Sequence, residues 1–216
     1  MRGRPFVQLV VVGLFALLLA LTGCAPEKPA EVKKKESTHA PDIFQAKMAT
    51  SKGDILLEIH RDWAPRGVDH FYELIEQKYY DKVKFHRVIR GFVAQFGVHR
   101  DPKIQALWRQ LRINDDPVLE KNMRGTITFA ALGPASRTTQ LFINLKDNRQ
   151  LDKDGLAPIG KVLEGMEVAD KLSFLYGELL PKGNGPEPNR LELETNAYMD
   201  RVFPRLDYIQ TITIVK

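Results

Sequence analysis

The chain has 216 residues, 44% hydrophobic and 27% charged, enough for one globular domain with its own core and an extension at one end, but not for two full domains. Its 32 Lys and Arg against 27 Asp and Glu leave a net charge of +5, partly carried by Arg2, Arg4 and Lys33-Lys34-Lys35; elsewhere basic and acidic residues alternate, so no basic stripe marks a nucleic-acid surface. One cysteine excludes an internal disulfide, the five histidines fall at no ligating spacing, and no HExxH or phosphate-cradling glycine loop is present, so neither metal nor cofactor is expected.

Met1-Arg2-Gly3-Arg4 makes a positive start, residues 7–21 are almost wholly apolar, and the run ends on small residues, which is the layout of a secretory signal. Leu21-Thr22-Gly23-Cys24 resembles the bacterial lipobox. That resemblance implies that residues 1–23 are a lipoprotein signal peptide and that Cys24 becomes the lipidated, palmitate-bearing first residue of the mature chain. The competing reading is an uncleaved anchor, because residues 6–22 number 17, against a lower limit of about 17 for a spanning helix. Either way the domain is tethered to a membrane, firmly if several acyl chains sit on one cysteine. The expected location is the bacterial cell envelope, facing outside the cytoplasm; Ala25 stands where the resemblance places the aspartate that retains some lipoproteins on the inner membrane.

Residues 24–41 carry Pro26, Pro29, Pro41 and the lysine triplet with no apolar periodicity, and read as a flexible tether ahead of a folded domain over 42–216. Strand patterns come next at 44–49 and 55–59, joined by a turn at 51–54 into a hairpin. Pro65 and the apolar positions Val68, Phe71, Leu74 and Ile75 predict a helix over 65–77. Further strands are predicted at 83–89, 92–98, 125–131, 139–144, 157–162 and 208–215, with a second helix over 166–174. Residues 177–188 read as a loop and 191–203 as an extra helix of no legible role. The fold class is therefore mainly β: eight antiparallel strands closed into a barrel, which removes exposed edges, capped by two helices, with an insertion before the last strand.

Three strands combine an apolar residue with a polar donor that is neither a strong acid nor a strong base. Strict alternation over 83–89 places Arg87 on one face with Val83, Phe85 and Ile89; Val93 shares a face with Gln95, beside Phe92; Gln140 shares one with Phe142. Taken singly, Arg87 reads as an arginine resting its stem on apolar surface, and Phe92, Val93 and Phe142 read as core.

Taken together they resemble a known family. Phe85-His86-Arg87-Val88-Ile89 followed by Gly91-Phe92-Val93-Ala94-Gln95 is similar to the cyclophilin signature FHRVI-x-GFM-x-Q, and Gln140-Leu141-Phe142-Ile143 to its QFFI strand. The segment 125–131 with Gly133-Pro134, then Leu151-Asp152 and Gly160-Lys161-Val162, come in the family's order, so the resemblance spans about 44–175. It implies a cyclophilin barrel and peptidyl-prolyl cis-trans isomerase activity on proline-containing polypeptides folding outside the cytoplasm. Arg87 would donate toward the prolyl nitrogen, Gln95 would hold the substrate backbone and Arg87, and Gln140 would add polar contacts. Phe92, Val93, Phe142, Leu151 and Leu156 would grip the proline ring, with Ala130 and Ala131 as a shallow wall; His86 is assigned to structure. The chain departs from the family with Val93 for methionine, Gln150 for tryptophan and Leu156 for histidine, an altered rim that implies weaker cyclosporin binding.

A monomer is expected. The alternative function is a membrane-tethered module that binds proline-containing segments with little turnover, for which the 177–203 insertion offers a partner surface. A structural lipoprotein with a disabled barrel is disfavoured by the surviving arginine and glutamine.

Overall fold

A computed structural model describes residues 39–215; residues 1–38, which hold the signal-peptide reading, Cys24 and most of the tether, lie outside the described residues. No helix among the described residues is long and apolar enough to cross a membrane.

The first hairpin joins β1 (Ile43–Thr50) to β2 (Gly53–His60), pairing Thr50 with Gly53 across a two-residue turn. Its alternation sends Phe44, Ala46, Met48, Ile55, Leu57 and Ile59 inward, which fixes the register because a one-residue slip would expose all of them. Helix α1 (Pro65–Glu76) is next, then β3 (Arg87–Val88), β4 (Val93–Phe96), a short α2 (Pro102–Trp108), β5 (Thr126–Phe129) and β6 (Leu141–Asn144). A 3-10 turn at Arg149–Asp154 leads to β7 (Pro158–Glu164), α3 (Met166–Asp170), α4 (Pro188–Val202) and β8 (Ile209–Val215).

All eight predicted strands form, in one curled antiparallel sheet of order β3-β4-β6-β5-β7-β2-β1-β8. The sheet is a half-barrel that stays open, not the closed barrel expected. Its edges β3 and β8 meet only at an isolated bridge between Lys84 and Tyr208, flanked by Phe85 N–H donating to Asp207 O at 2.9 Å and Ile209 N–H to Val83 O at 2.8 Å. The reason is that the predicted strand 83–89 divides its backbone: 83–85 bond to 207–209, whereas Arg87 and Val88 pair with β4, leaving two regular residues as an edge. The two expected helices are joined by α2 and α4; α4 fulfils the predicted helix in the insertion but bends at Thr195, where φ is 49° and ψ is −131°.

Helix α1 covers the sheet with Val68, Phe71, Leu74 and Ile75, all in the main core. Ala64 supplies no side-chain cap, so the helix start is held from a distance: Asp116 accepts from Arg66 N–H at 3.1 Å and Gly67 N–H at 2.9 Å. A carboxylate at a helix N-terminus also meets the positive end of the helix dipole. The same carboxylate pairs with Arg137 Nη2 at 3.0 Å, and both side chains are only 1% exposed.

Removing Asp116 leaves two helix-start donors unpaired and takes the buried carboxylate from a guanidinium that then keeps only the more exposed Asp115, at 3.3 Å, and Asn114 O. Asp116→Ala is expected to cost about 3–5 kcal/mol, the usual price of breaking a buried ion pair on one side. Denaturant unfolding checks this: the midpoint should fall at unchanged slope, and a loss under about 1 kcal/mol would show that the pair does not anchor α1.

Candidate active site

The site begins with a change of face. Val83 and Phe85 point into the main core, and so does Val88, whereas Arg87 does not. The expected sharing of one face by residues 83, 85, 87 and 89 fails because the backbone leaves one partner strand and joins another between Phe85 and Arg87, which breaks strict alternation.

From there the register is regular. Arg87 lies opposite Gln95 on β4, and Gln95 lies opposite Phe142 on β6. The intervening residues Ala94, Phe96, Leu141 and Ile143 fill the main core. Val93, Phe142 and Leu156 instead form a separate apolar cluster, with half-buried Phe92, Ala130, Ala131 and Leu151 packed against it. The two faces of β4 and β6 thus serve two purposes, core on one side and a small apolar pocket on the other. The seven apolar residues singled out from the sequence all sit in or against this pocket.

A polar row borders it. Arg87 Nη1 donates to Gln95 Oε1 at 3.0 Å, Gln95 Nε2 donates to Gln140 Oε1 at 2.8 Å, and the Arg87 guanidinium carbon lies 5.6 Å from the Phe92 ring centre. Cation and ring at that distance attract through the ring quadrupole. The Arg87 side chain is 19% exposed, still open enough to meet a ligand.

Sequence reasoning missed the ends of this row. Glu178, in the insertion, accepts from Arg87 Nε at 2.5 Å and from Nη2 at 2.7 Å, and this contact holds its carboxyl below the usual carboxylate range. At the other end Gln140 Nε2 donates to Glu192 Oε1 at 2.7 Å, and Gln105 Nε2 donates to Glu192 Oε2 at 2.6 Å. Gln105 in turn accepts from the Tyr79 hydroxyl at 2.6 Å and from His99 N–H at 2.7 Å. No motif marks these acids, since they reach the row from 91 and 52 residues along the chain.

A buried amide network under the pocket was also missed. Asn148 Nδ2 donates to Phe92 O at 2.8 Å and to Asn144 Oδ1 at 2.8 Å; Asn122 Nδ2 donates to Leu156 O at 2.8 Å, and Asn122 Oδ1 accepts from Thr128 Oγ1 at 2.9 Å. It fixes the carbonyls of two pocket residues, Phe92 and Leu156, and satisfies polar groups that would otherwise be costly to bury.

Comparison with known proteins agrees on one family. The family model described as cyclophilin type peptidyl-prolyl cis-trans isomerase/CLD matches residues 45–186. The chain is similar to peptidyl-prolyl cis-trans isomerase A of Dickeya dadantii, 36% identical over 174 residues that cover 78% of this chain and 86% of that one. It is likewise similar to peptidyl-prolyl cis-trans isomerase B of Escherichia coli, 34% identical over 131 residues covering 57% and 80%. Among solved structures, a cyclophilin-type isomerase of Cryptosporidium parvum superposes with a TM-score of 0.57 at 22% identity, over 81% of this chain and 98% of that one, a likeness of fold.

His86, beside Arg87, is fully buried, and burial first, then the Arg87 charge, pushes its pKa down to about 4; burial does the same to His70 on α1, also to about 4. Both rings therefore stay neutral in the fold and take a proton near 6.5 only when it opens. Their contribution to stability is whole above about pH 6.5 and is lost as pH falls from there toward 4. Urea unfolding between pH 7.5 and 5 should show a decline of roughly 1 kcal/mol per pH unit for each histidine below that point. Ring proton signals of His86 titrating near their ordinary midpoint in the folded protein would contradict this.

Proposed function

The chain belongs to the cyclophilin-type peptidyl-prolyl cis-trans isomerases, and on that premise we propose that Arg87 is the group through which it turns X-Pro bonds, in a protein anchored by lipid at Cys24 outside the cytoplasm. The observation that carries the site assignment is the guanidinium held by Gln95 beside the separate apolar cluster of Val93, Phe142 and Leu156, on the strands that bear the family's motifs.

The chemistry asks for no nucleophile and no base. Rotation about a peptide bond is opposed by amide resonance, a barrier of about 18–20 kcal/mol, and unaided X-Pro exchange takes tens to hundreds of seconds. Resonance is lost when the prolyl nitrogen becomes pyramidal and recovers its lone pair. A donor aimed at that nitrogen stabilises the twisted form more than either planar form, and such differential binding is what lowers a barrier. Arg87 suits the task because its guanidinium stays charged at any working pH and is already fixed by acceptors, so little reorganisation remains when the bond twists. Val93, Phe142 and Leu156 grip the ring, while Phe92, Ala130, Ala131 and Leu151 extend the wall around it. Gln95 and Gln140 offer amides to the backbone on either side. With the ring held, only the acyl part of the bond has to turn.

The natural substrates are proline-containing polypeptides whose slow prolyl steps limit folding in the envelope. The positive start, apolar run and lipobox-like Leu21-Thr22-Gly23-Cys24 support export and anchoring, and the proline-rich stretch after Cys24 suits a spacer between membrane and domain.

Cis/trans exchange of a short X-Pro peptide by the purified chain tests the enzyme and its donor together. Arg87→Ala at matched folding is expected to lower kcat/KM about 10²–10³-fold, the range for removing one preorganised donor. A wild-type chain that binds such peptides without speeding exchange would shift the reading to a proline-binding module.

Anchoring has its own test. In bacteria expressing the chain, labelled palmitate should enter the protein and the membrane fraction should retain it, and Cys24→Ser should abolish both. Label persisting in that variant would reject Cys24 as the anchor.

A further inference from the structure

The segment 177–203, which the family model matches only as far as residue 186, reaches the row of Arg87, Gln95 and Gln140 at both ends. At one end Glu178 meets Arg87 side-on through Nε and Nη2; at the other Glu192 accepts from Gln140. Hydrogen bonds run in one direction between them. Arg87 can only donate, so Gln95 must present its oxygen to it and its NH2 to Gln140; Gln140 must then present its oxygen to Gln95 and its NH2 outward, where Glu192, which can only accept, is waiting. Each end of the row therefore enforces the same orientation of both amides.

The backbone of Glu178 is held in place by the loop around it. Gly185 N–H donates to Glu178 O at 2.8 Å, and a Cβ on Gly185 would lie 2.7 Å from that oxygen, with one on Gly183 closer still, so the loop winds round Glu178 more tightly than a side-chain-bearing residue allows. Leu179 Cα lies 3.4 Å from the same Gly185 position, and Leu179 N–H donates to Glu178 Oε1 at 2.8 Å. Next to it, Tyr176 and Leu179 pack on the apolar cluster of Val98, Leu191, Tyr198, Met199, Phe203 and Leu206, which ties the loop to the end of β4 and to α4.

We propose that Glu178 is a positioning residue for prolyl isomerisation: it fixes the Arg87 guanidinium side-on and leaves its remaining N–H groups to the pocket. Glu192 supports this from the far end by locking the amides behind the arginine. A long cationic side chain at the rim of an open pocket samples many rotamers, and a fixed side-on carboxylate removes that freedom before substrate arrives. The inference rests on Arg87 being the central donor.

The test uses the full chain in detergent, an X-Pro peptide, and the variants Arg87→Ala, Glu178→Ala, Glu178→Gln and Glu192→Ala at matched thermal midpoints. Glu178→Ala is expected to lower kcat about tenfold, within the range for losing an outer positioning partner, with KM changed less than about twofold. Glu178→Gln, which keeps one acceptor, should fall between it and the wild type, and Glu192→Ala should lose less than Glu178→Ala. The Arg87 Nε–H signal in nitrogen-15 spectra should be slow to exchange in the wild type and in Glu192→Ala, and fast in Glu178→Ala. A Glu178→Ala enzyme as active as the wild type or more so, beside an inactive Arg87→Ala, overturns the proposal while leaving Arg87 in place; in the more active case the loop obstructs the site. Full activity of Arg87→Ala removes the central donor and the positioning role together.

Discussion

A guanidinium withdrawn from water must be ringed by acceptors, and much of this site is the working out of that condition for Arg87. Its five N–H groups cannot accept, so each neighbour that touches it must offer oxygen. Gln95 does so from the adjacent strand and Glu178 from the insertion, while the Phe92 ring covers a face with its negative π cloud. An arginine so held presents a fixed charge at the edge of an apolar pocket, which is the kind of preorganised dipole that costs nothing to align during reaction.

The same condition propagates into the scaffold. Once Gln95 is oriented by Arg87, Gln140 is oriented by Gln95, and the row ends only at Glu192, which also accepts from Gln105 on α2, itself the acceptor for the Tyr79 hydroxyl and His99 N–H. On the other side of the pocket Asn122, Asn144 and Asn148 perform a parallel service for the backbone of Phe92 and Leu156. Polar networks of this kind are favourable only when every member is satisfied, and both are composed so that donors and acceptors alternate.

What the sequence made legible was periodic or contiguous. The hairpin of β1 and β2, the proline-started helix at residue 65 and the strands around 93, 127 and 143 announce themselves by alternation or by i, i+3, i+4 spacing, and residues 85–95 carry the family's motif almost unbroken. What stayed hidden depends on long-range choices of partner. The face change before Arg87 arises because 83–85 bond to residues about 125 positions away, and no local pattern records that. Helix α2 is seven residues long, too short to show a stripe, though Asp101 caps it through Lys103 N–H. Glu178 looks like an ordinary surface acid in a glycine- and proline-rich stretch, and Glu192 like one on a helix of no legible role; only folding reveals that they share the arginine's row.

The open half-barrel and the insertion belong to one arrangement. An edge strand of two residues beside a functional groove is a weak point, since unpaired backbone there invites foreign strands and lets the site loosen. Here the stretch 82–87 is occupied along its length by residues C-terminal to α3. Asn196 donates to Lys82 O at 3.0 Å, Lys84 pairs with Asp200 at 2.5 Å, residues 83–85 bond to 207–209, and Arg87 meets Glu178. Arg87 is a rung of the ladder with Gln95 by its backbone, and its guanidinium leaves the sheet to meet Glu178. Leaving the barrel open and covering the edge with side chains lets residue 87 belong to the sheet by its backbone and to the groove by its guanidinium.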